Sequence, residues 1–334
     1  MKNFSCSCGQ TLFFENTRCL ACEQAVGFDP TSCSMRVVTD AAENESGAAD
    51  AVRLCQNSAD YNVCNWLVTE PDQQYCLSCR LNHTIPNLLL PKRRRWWKSM
   101  EHAKRRLLYS LLSLGLPVQG KQQEADGLAF EFIEDKRSNP GVLEEHVNTG
   151  HDNGLITINI TEADHVSREI TRQYTGELYR TLLGHFRHES GHYYFGLLVN
   201  DEEKLQHFRE LFGDEREDYG AALEHYYANK ATMVRDPDLI SHYAQAHPHE
   251  DWAEVWAHYL HMVDTLETAG DYKMQQGSTH FDDIDELMLK WSQLTMMLNA
   301  LNRSMGLEDA YPFILSELAM AKLRFVHGLI YPSS

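Results

Sequence analysis

All nine cysteines of this chain fall at or before Cys79, and that placement limits what its N-terminal part can fold into. Cys6 and Cys8, Cys19 and Cys22, and Cys76 and Cys79 stand as close pairs. Cys55 and Cys64 are spaced more widely, and Cys33 is left over. A tight turn can present two sulfurs to one ion, and a second turn, distant in sequence, closes the tetrahedral four-thiolate cage of a zinc ribbon. The opening residues Met1-Lys2-Asn3-Phe4-Ser5 hold no apolar stretch, so no secretory leader is read and a cytoplasmic location is expected. In that setting clustered thiols hold metal rather than pair as disulfides.

Two structural cages are therefore expected, giving one or two bound zinc ions. Cys6, Cys8, Cys19 and Cys22 form the first; Cys55, Cys64, Cys76 and Cys79 form the second. The first departs from the usual spacing, because a single residue separates Cys6 from Cys8, and Cys33 is its candidate substitute. No catalysis is assigned to the ribbons. They could dock a protein partner or a nucleic acid.

Pro86 and Pro91 mark the end of the cysteine-rich region, so the expected domains are 1–85 and 92–334. The small, polar stretch 39–50 reads as a loop between the two cysteine groups. Beyond residue 95 apolar residues recur at three- and four-residue steps until Gly115 and Pro117 stop a helix. Strands are expected at 128–133 and 154–160, the second alternating and rich in β-branched residues. A single helical period then runs over 167–198, with further helices at 201–212, 218–229, 249–268, 282–304 and 311–331. The fold class is α+β: a ribbon region, then a mostly helical domain with a small sheet. Met296, Met297 and the 313–326 stripe read as core. The strand at 155–160 is a candidate edge for an extended peptide.

The chemistry concentrates in His188-Glu189-Ser190-Gly191-His192. Residues four apart share one face of a helix, so both imidazoles can reach one cation. Glu189 lies beside that face and can take a proton from a metal-activated water, then pass it to a leaving amine. Gly191 costs helix propensity, which is tolerated where another element passes close by. His185, one turn earlier, reads as a neighbour rather than a ligand. A third protein ligand is needed. Phe195 and Leu198 stand where a metzincin carries glycine and histidine, which rejects that class. The gluzincin solution takes a glutamate from a later helix, and 249–259 offers Glu250 and Glu254, one turn apart. Glu250 is preferred as ligand. Glu254 is the alternative, or the residue that hydrogen-bonds a ligating histidine and fixes its tautomer. Asp251 ranks third.

At these residues the sequence resembles a bacterial family of zinc-binding metallopeptidases that carry an N-terminal zinc ribbon. The resemblance covers essentially the whole chain, including 12–19, 63–66, 79–82, 186–194 and 250–261. It implies a zincin-like domain and a zinc-dependent peptidase. The catalytic segment is also similar to the protease domain of anthrax lethal factor, where the zinc-binding glutamate opens a Glu-x-x-Ala-Glu run. Here Glu250 opens that run, and the resemblance places Tyr243 at the offset of a tyrosine that faces the metal. A phenol there could donate to the developing oxyanion.

The expected activity is thus hydrolysis of a peptide or protein by one catalytic zinc. The competing reading is a catalytically silent interaction or regulatory protein that docks partners or nucleic acid through its ribbons. The net charge of −18 weighs against general nucleic-acid binding, which depends on Lys and Arg at phosphates. The basic run 92–98 with Lys104-Arg105-Arg106 reads as a solvated face pairing with acidic neighbours. Its apolar stretch at 107–118 is too short to span a bilayer, so no membrane partner is expected.

Overall fold

Turns that present sulfurs leave room only for short strands between them, and the N-terminal segments form three two-stranded hairpins. A computed structural model of the chain describes residues 1–38, 52–175, 177–274 and 283–332. The expected loop at 39–50 lies outside them. The first hairpin pairs β1 (Phe4–Ser5) with β2 (Thr11–Leu12), so Cys6 and Cys8 sit in its turn. The second pairs β3 (Val26–Asp29) with β4 (Ser34–Val37). The third pairs β5 (Arg53–Leu54) with β6 (Leu67–Val68), and α1 (Gln56–Tyr61) lies between its strands. A short helix α2 (Leu77–Arg80) follows and leads into β7 (Asn82–Thr84).

Helix α3 (Pro91–Ser113) starts on a proline, whose fixed φ and missing N–H suit the first helical turn. Its buried face carries Trp97, Met100, Lys104, Leu107, Leu108 and Leu111 of the expected period, while Leu112 is half-buried. Lys104 and Glu101 are both fully buried and pair at 3.0 Å. Trp97 Nε1 and Asn82 Nδ2 also donate to Glu101, at 3.0 and 2.7 Å, so the charge is enclosed in partners. Arg93 likewise pairs with Glu134 at 2.6 Å, both buried. Arg93, Lys104 and Arg105 of the basic segments are therefore internal structure, while Lys92, Arg94, Arg95 and Lys98 face solvent.

A four-stranded sheet follows in the order β7-β8-β10-β9, built with β8 (Ala129–Ile133), β9 (Gly150–Asp152) and β10 (Leu155–Asn159). Phe130 and Phe132 oppose Ile156 and Ile158 in parallel register, and all four are buried. The expected substrate edge is not an edge. β10 pairs with β8 on one side and with β9 on the other. The cause is local: Asn153 and Gly154 both have positive φ, 46° and 82°, and form the two-residue turn that folds β9 back onto β10.

The single helix expected over 167–198 is two, α4 (His165–Thr175) and α5 (Leu182–Leu198). Thr181 starts the second by accepting a bond from Gly184 N, at 3.0 Å. Ile170 and Leu178, part of the expected apolar period, are exposed. Four more helices start at an aspartate cap or at a proline: α6 (Glu202–Phe212), α7 (Tyr219–Asn229), α8 (Pro248–Asp271) and α9 (Ile284–Ser304). The last, α10 (Glu317–Ile330), is capped by Ser316 and starts later than expected. Met296 is 72% exposed and is not core. The chain is of α+β class. It folds as two compact units, Met1–Arg168 and Glu169–Ser334, so α3 and the sheet share a unit with the cysteine segments. Among the described residues, no helix is long and apolar enough to cross a membrane.

The second unit is organised on α5 against α8. Trp252, Trp256 and Tyr259 are fully buried on α8, and Tyr194 of α5 stacks on Trp256 with ring centroids 5.0 Å apart. Each such side chain contributes about 1.5–3 kcal/mol by leaving water. The two indoles are also anchored: Trp252 Nε1 donates to the Gly191 carbonyl at 2.8 Å, and Trp256 Nε1 to Ser190 Oγ at 3.0 Å. Gly191 is where the helices meet. A Cβ there would lie 3.0 Å from Ala253 Cα and 3.1 Å from Trp256 Cδ1. Alanine would gain about 1 kcal/mol of helix propensity and lose about 1–3 kcal/mol to overpacking against a backbone and a pinned indole. Gly191→Ala is expected to lower stability, read as a lower denaturant midpoint with an unchanged slope.

Candidate metal centre

The helix pair places the histidines. His188 and His192 lie one turn apart on α5, with ring centroids 5.1 Å apart. Glu250 lies in the first turn of α8, where the helix dipole favours a carboxylate. Its Oε2 is 3.0 Å from His188 Nε2 and 3.6 Å from His192 Nε2. One ligand atom from each of His188, His192 and Glu250 falls within 4.8 Å of the others. Glu250 is 1% exposed. Burial opposes its charge, yet the bonds to His188 and His192 hold it well below the usual carboxylate range. Burial likewise opposes a charge on His188, while Glu250 and Glu254 push its imidazole well above its ordinary value. The pocket is thus arranged to satisfy a cation.

Glu254, one turn along α8, takes a different position. Its Oε1 lies 2.7 Å from His188 Nδ1, the ring nitrogen that faces away from Glu250. A carboxylate on that nitrogen fixes the tautomer and leaves Nε2 free to bind. Asp251 faces elsewhere and forms a buried ion pair with Lys322 of α10. Burial pushes its carboxyl up to about 6 against the pull of that lysine. His185 is not in the convergent set.

Glu189 is 7% exposed. Tyr243 opens a 3-10 turn, Tyr243–Ala246, just ahead of α8. Its ring lies against His188, with centroids 5.9 Å apart. Burial, then the nearby Glu250, pushes its phenol far above its ordinary value, so it keeps its proton. Sequence reasoning missed Tyr219. This residue starts α7, and its hydroxyl donates to Glu250 Oε1. No spacing rule links it to an α8 carboxylate, since 31 residues separate the two.

The cysteines close two groups. Cys6, Cys8, Cys19 and Cys22 converge despite the short Cys6–Cys8 spacing, with Cys6 Sγ 3.7 Å from Cys22 Sγ and Cys8 Sγ 3.6 Å from Cys19 Sγ. Both the hairpin turn and the second turn contribute sulfurs, so one residue between the pair suffices. Backbone N–H groups of Cys22 and Ala21, working against burial, push the Cys19 thiol down to about 6. Cys55, Cys64, Cys76 and Cys79 form the second group and are all buried. Buried Arg105 donates to the Val63 carbonyl at 2.6 Å; against burial, the neighbouring Cys55, Cys76 and Cys79 thiols and then the Arg105 charge hold the Cys64 thiol well below its ordinary value. Cys33 belongs to neither group; its Sγ lies 3.6 Å from the Pro30 carbonyl.

Two sets of four thiols and one set of two imidazoles with a carboxylate are the donor chemistry of zinc. The fold and these sites define a zinc-binding protein with an N-terminal ribbon region. The chain belongs to the family described as "Putative zinc-binding metallo-peptidase", whose model matches residues 93–329. A zinc-ribbon domain model matches residues 3–90. Similar proteins include an uncharacterized protein of Mycobacterium bovis and two of Mycobacterium tuberculosis strains. Each is 40% identical over 343 residues, covering 99% of this chain and 95% of its own. No solved structure matches.

Proposed function

We propose that the chain is a zinc-dependent peptidase of gluzincin type, with His188, His192 and Glu250 as ligands of the catalytic ion. The reading rests on one observation, the convergence of His188 Nε2, His192 Nε2 and Glu250 Oε2 in the second unit. When bound, the ion supplies Lewis acidity, which makes water a nucleophile at neutral pH and polarises a carbonyl.

The chain's own groups do the rest. Glu189 takes the proton of the attacking water as oxygen bonds to the carbonyl carbon. It then passes that proton to the amine nitrogen as the C–N bond breaks. Tyr243, held protonated, donates to the carbonyl oxygen as that atom gains charge. Glu254 keeps His188 in the tautomer that offers Nε2. The two thiolate cages hold their ions structurally and take no part in the reaction. The substrate is a peptide or protein, and the ribbon region is a surface for a protein partner.

Counting metal tests the assignment. The purified full-length chain should carry three zinc ions, and the double variant His188→Ala/His192→Ala should carry two. In a peptide-library digest the wild type should cleave and the double variant should not. Unchanged zinc content, or unchanged cleavage, in the double variant would remove the proposed centre.

A further inference from the structure

A carboxylate has two oxygens, and a divalent ion can take one or both. For a hydrolase the difference matters, because a zinc ion with three single-atom protein ligands keeps a position for water. The surroundings of Glu250 treat its oxygens unequally. Oε2 faces His188 Nε2 and His192 Nε2. Oε1 is occupied by the hydroxyl of Tyr219.

The phenol is held from both sides. Asp218 caps α7 by accepting from Ala221 N at 2.8 Å, which fixes the turn from which Tyr219 projects. The Tyr219 ring packs edge-on against His247, with centroids 5.1 Å apart. His247 is in turn the cap of α8, where its Nδ1 accepts from His249 N at 3.1 Å and its Nε2 lies 3.1 Å from the Glu217 carbonyl oxygen. The starts of α7 and α8 are thus tied together, and α8 carries Glu250 within its first turn.

We propose that Tyr219 is a positioning residue: by holding Oε1 of Glu250, it confines that ligand to one oxygen and keeps a coordination position open for water. The inference rests on reading His188, His192 and Glu250 as a metal centre. Tyr219 is 43% exposed, and thermal melting of Tyr219→Phe against wild type checks that the fold survives the loss of its hydroxyl.

The test uses the full chain with both thiolate cages filled by zinc and the third site stripped with a mild chelator. Cobalt(II) is then added, and its visible bands report coordination number. Wild type should show the strong bands of a four-coordinate ion. Tyr219→Phe should show weaker bands, as Glu250 turns its second oxygen to the ion, and its zinc dissociation constant, from chelator competition, should rise about 10-fold. If wild type takes up cobalt at this site and Tyr219→Phe matches it in spectrum and affinity, the role given to Tyr219 is wrong while the metal centre stands. If wild type takes up no ion there, the inference and the centre fall together.

Discussion

Glu189→Gln should leave three zinc ions on the chain and almost no turnover. Glutamine keeps the shape of the side chain but cannot accept a proton from water at neutral pH. The ligand set does not include Glu189, so metal content should match wild type. General base catalysis contributes about 10²–10⁴-fold, equivalent to about 2.7–5.4 kcal/mol of barrier. The loss should fall on kcat, with KM little changed, because the proton moves only in the transition state. Thermal melting of the variant controls for damage to α5, where Glu189 stands between two residues that pack or bind. Full turnover by a zinc-loaded Glu189→Gln protein would show that another group takes the proton. Loss of turnover together with loss of zinc would instead give Glu189 a structural part in the centre.

Local signals were legible and tertiary ones were not. Two helix starts could be read because their caps are chemical: Asp201 and Asp218 each accept a backbone bond where a helix begins. The imidazole pair could be read because both residues share one helix, where spacing fixes geometry. The choice among Glu250, Asp251 and Glu254 was less legible. All three fit the acidic start of α8, and only the angle of α8 against α5 sends one to His188 Nε2, one to His188 Nδ1 and one to Lys322. Tyr219 left no signal, since its contact with Glu250 depends on where α7 ends up. Two misses did have signals. Asn153-Gly154 is the favoured pair for a two-residue hairpin turn, and it implies that the strand at 155–159 acquires a partner on the side taken for an open edge. Thr181 is a helix-starting residue inside what periodicity joined as one helix. Apolar period alone also placed Met296 inside, although an exposed methionine on α9 satisfies the same pattern.

Cys76→Ser should unfold the N-terminal unit rather than merely weaken it. Its cage is buried at every corner: Cys55 and Cys76 are 0% exposed, Cys64 3% and Cys79 6%. The four residues tie down segments too short to hold themselves, for β5 and β6 have two residues each and α2 has four. The cage also fixes Trp66, whose backbone N–H points at Cys64 Sγ. Trp66 packs with Phe14 and Phe28, and both phenylalanines pack on Tyr109 of α3. Losing the cage therefore loosens an aromatic cluster that extends to α3. Structural zinc supplies about 10–16 kcal/mol of apparent binding energy in small ribbons, which equals or exceeds the whole stability of an ordinary domain, about 5–15 kcal/mol. Without the ion, four thiols must share a site where burial and their neighbours push Cys76 well above its ordinary value and Arg105 favours a thiolate at Cys64. The expected result is one zinc fewer per chain and rapid proteolysis within residues 1–168. Cys8→Ser, which alters an exposed corner of the first cage, should cost less. A Cys76→Ser chain that keeps all its zinc and resists protease like wild type would mean that the second cage is four buried thiols packed without a metal.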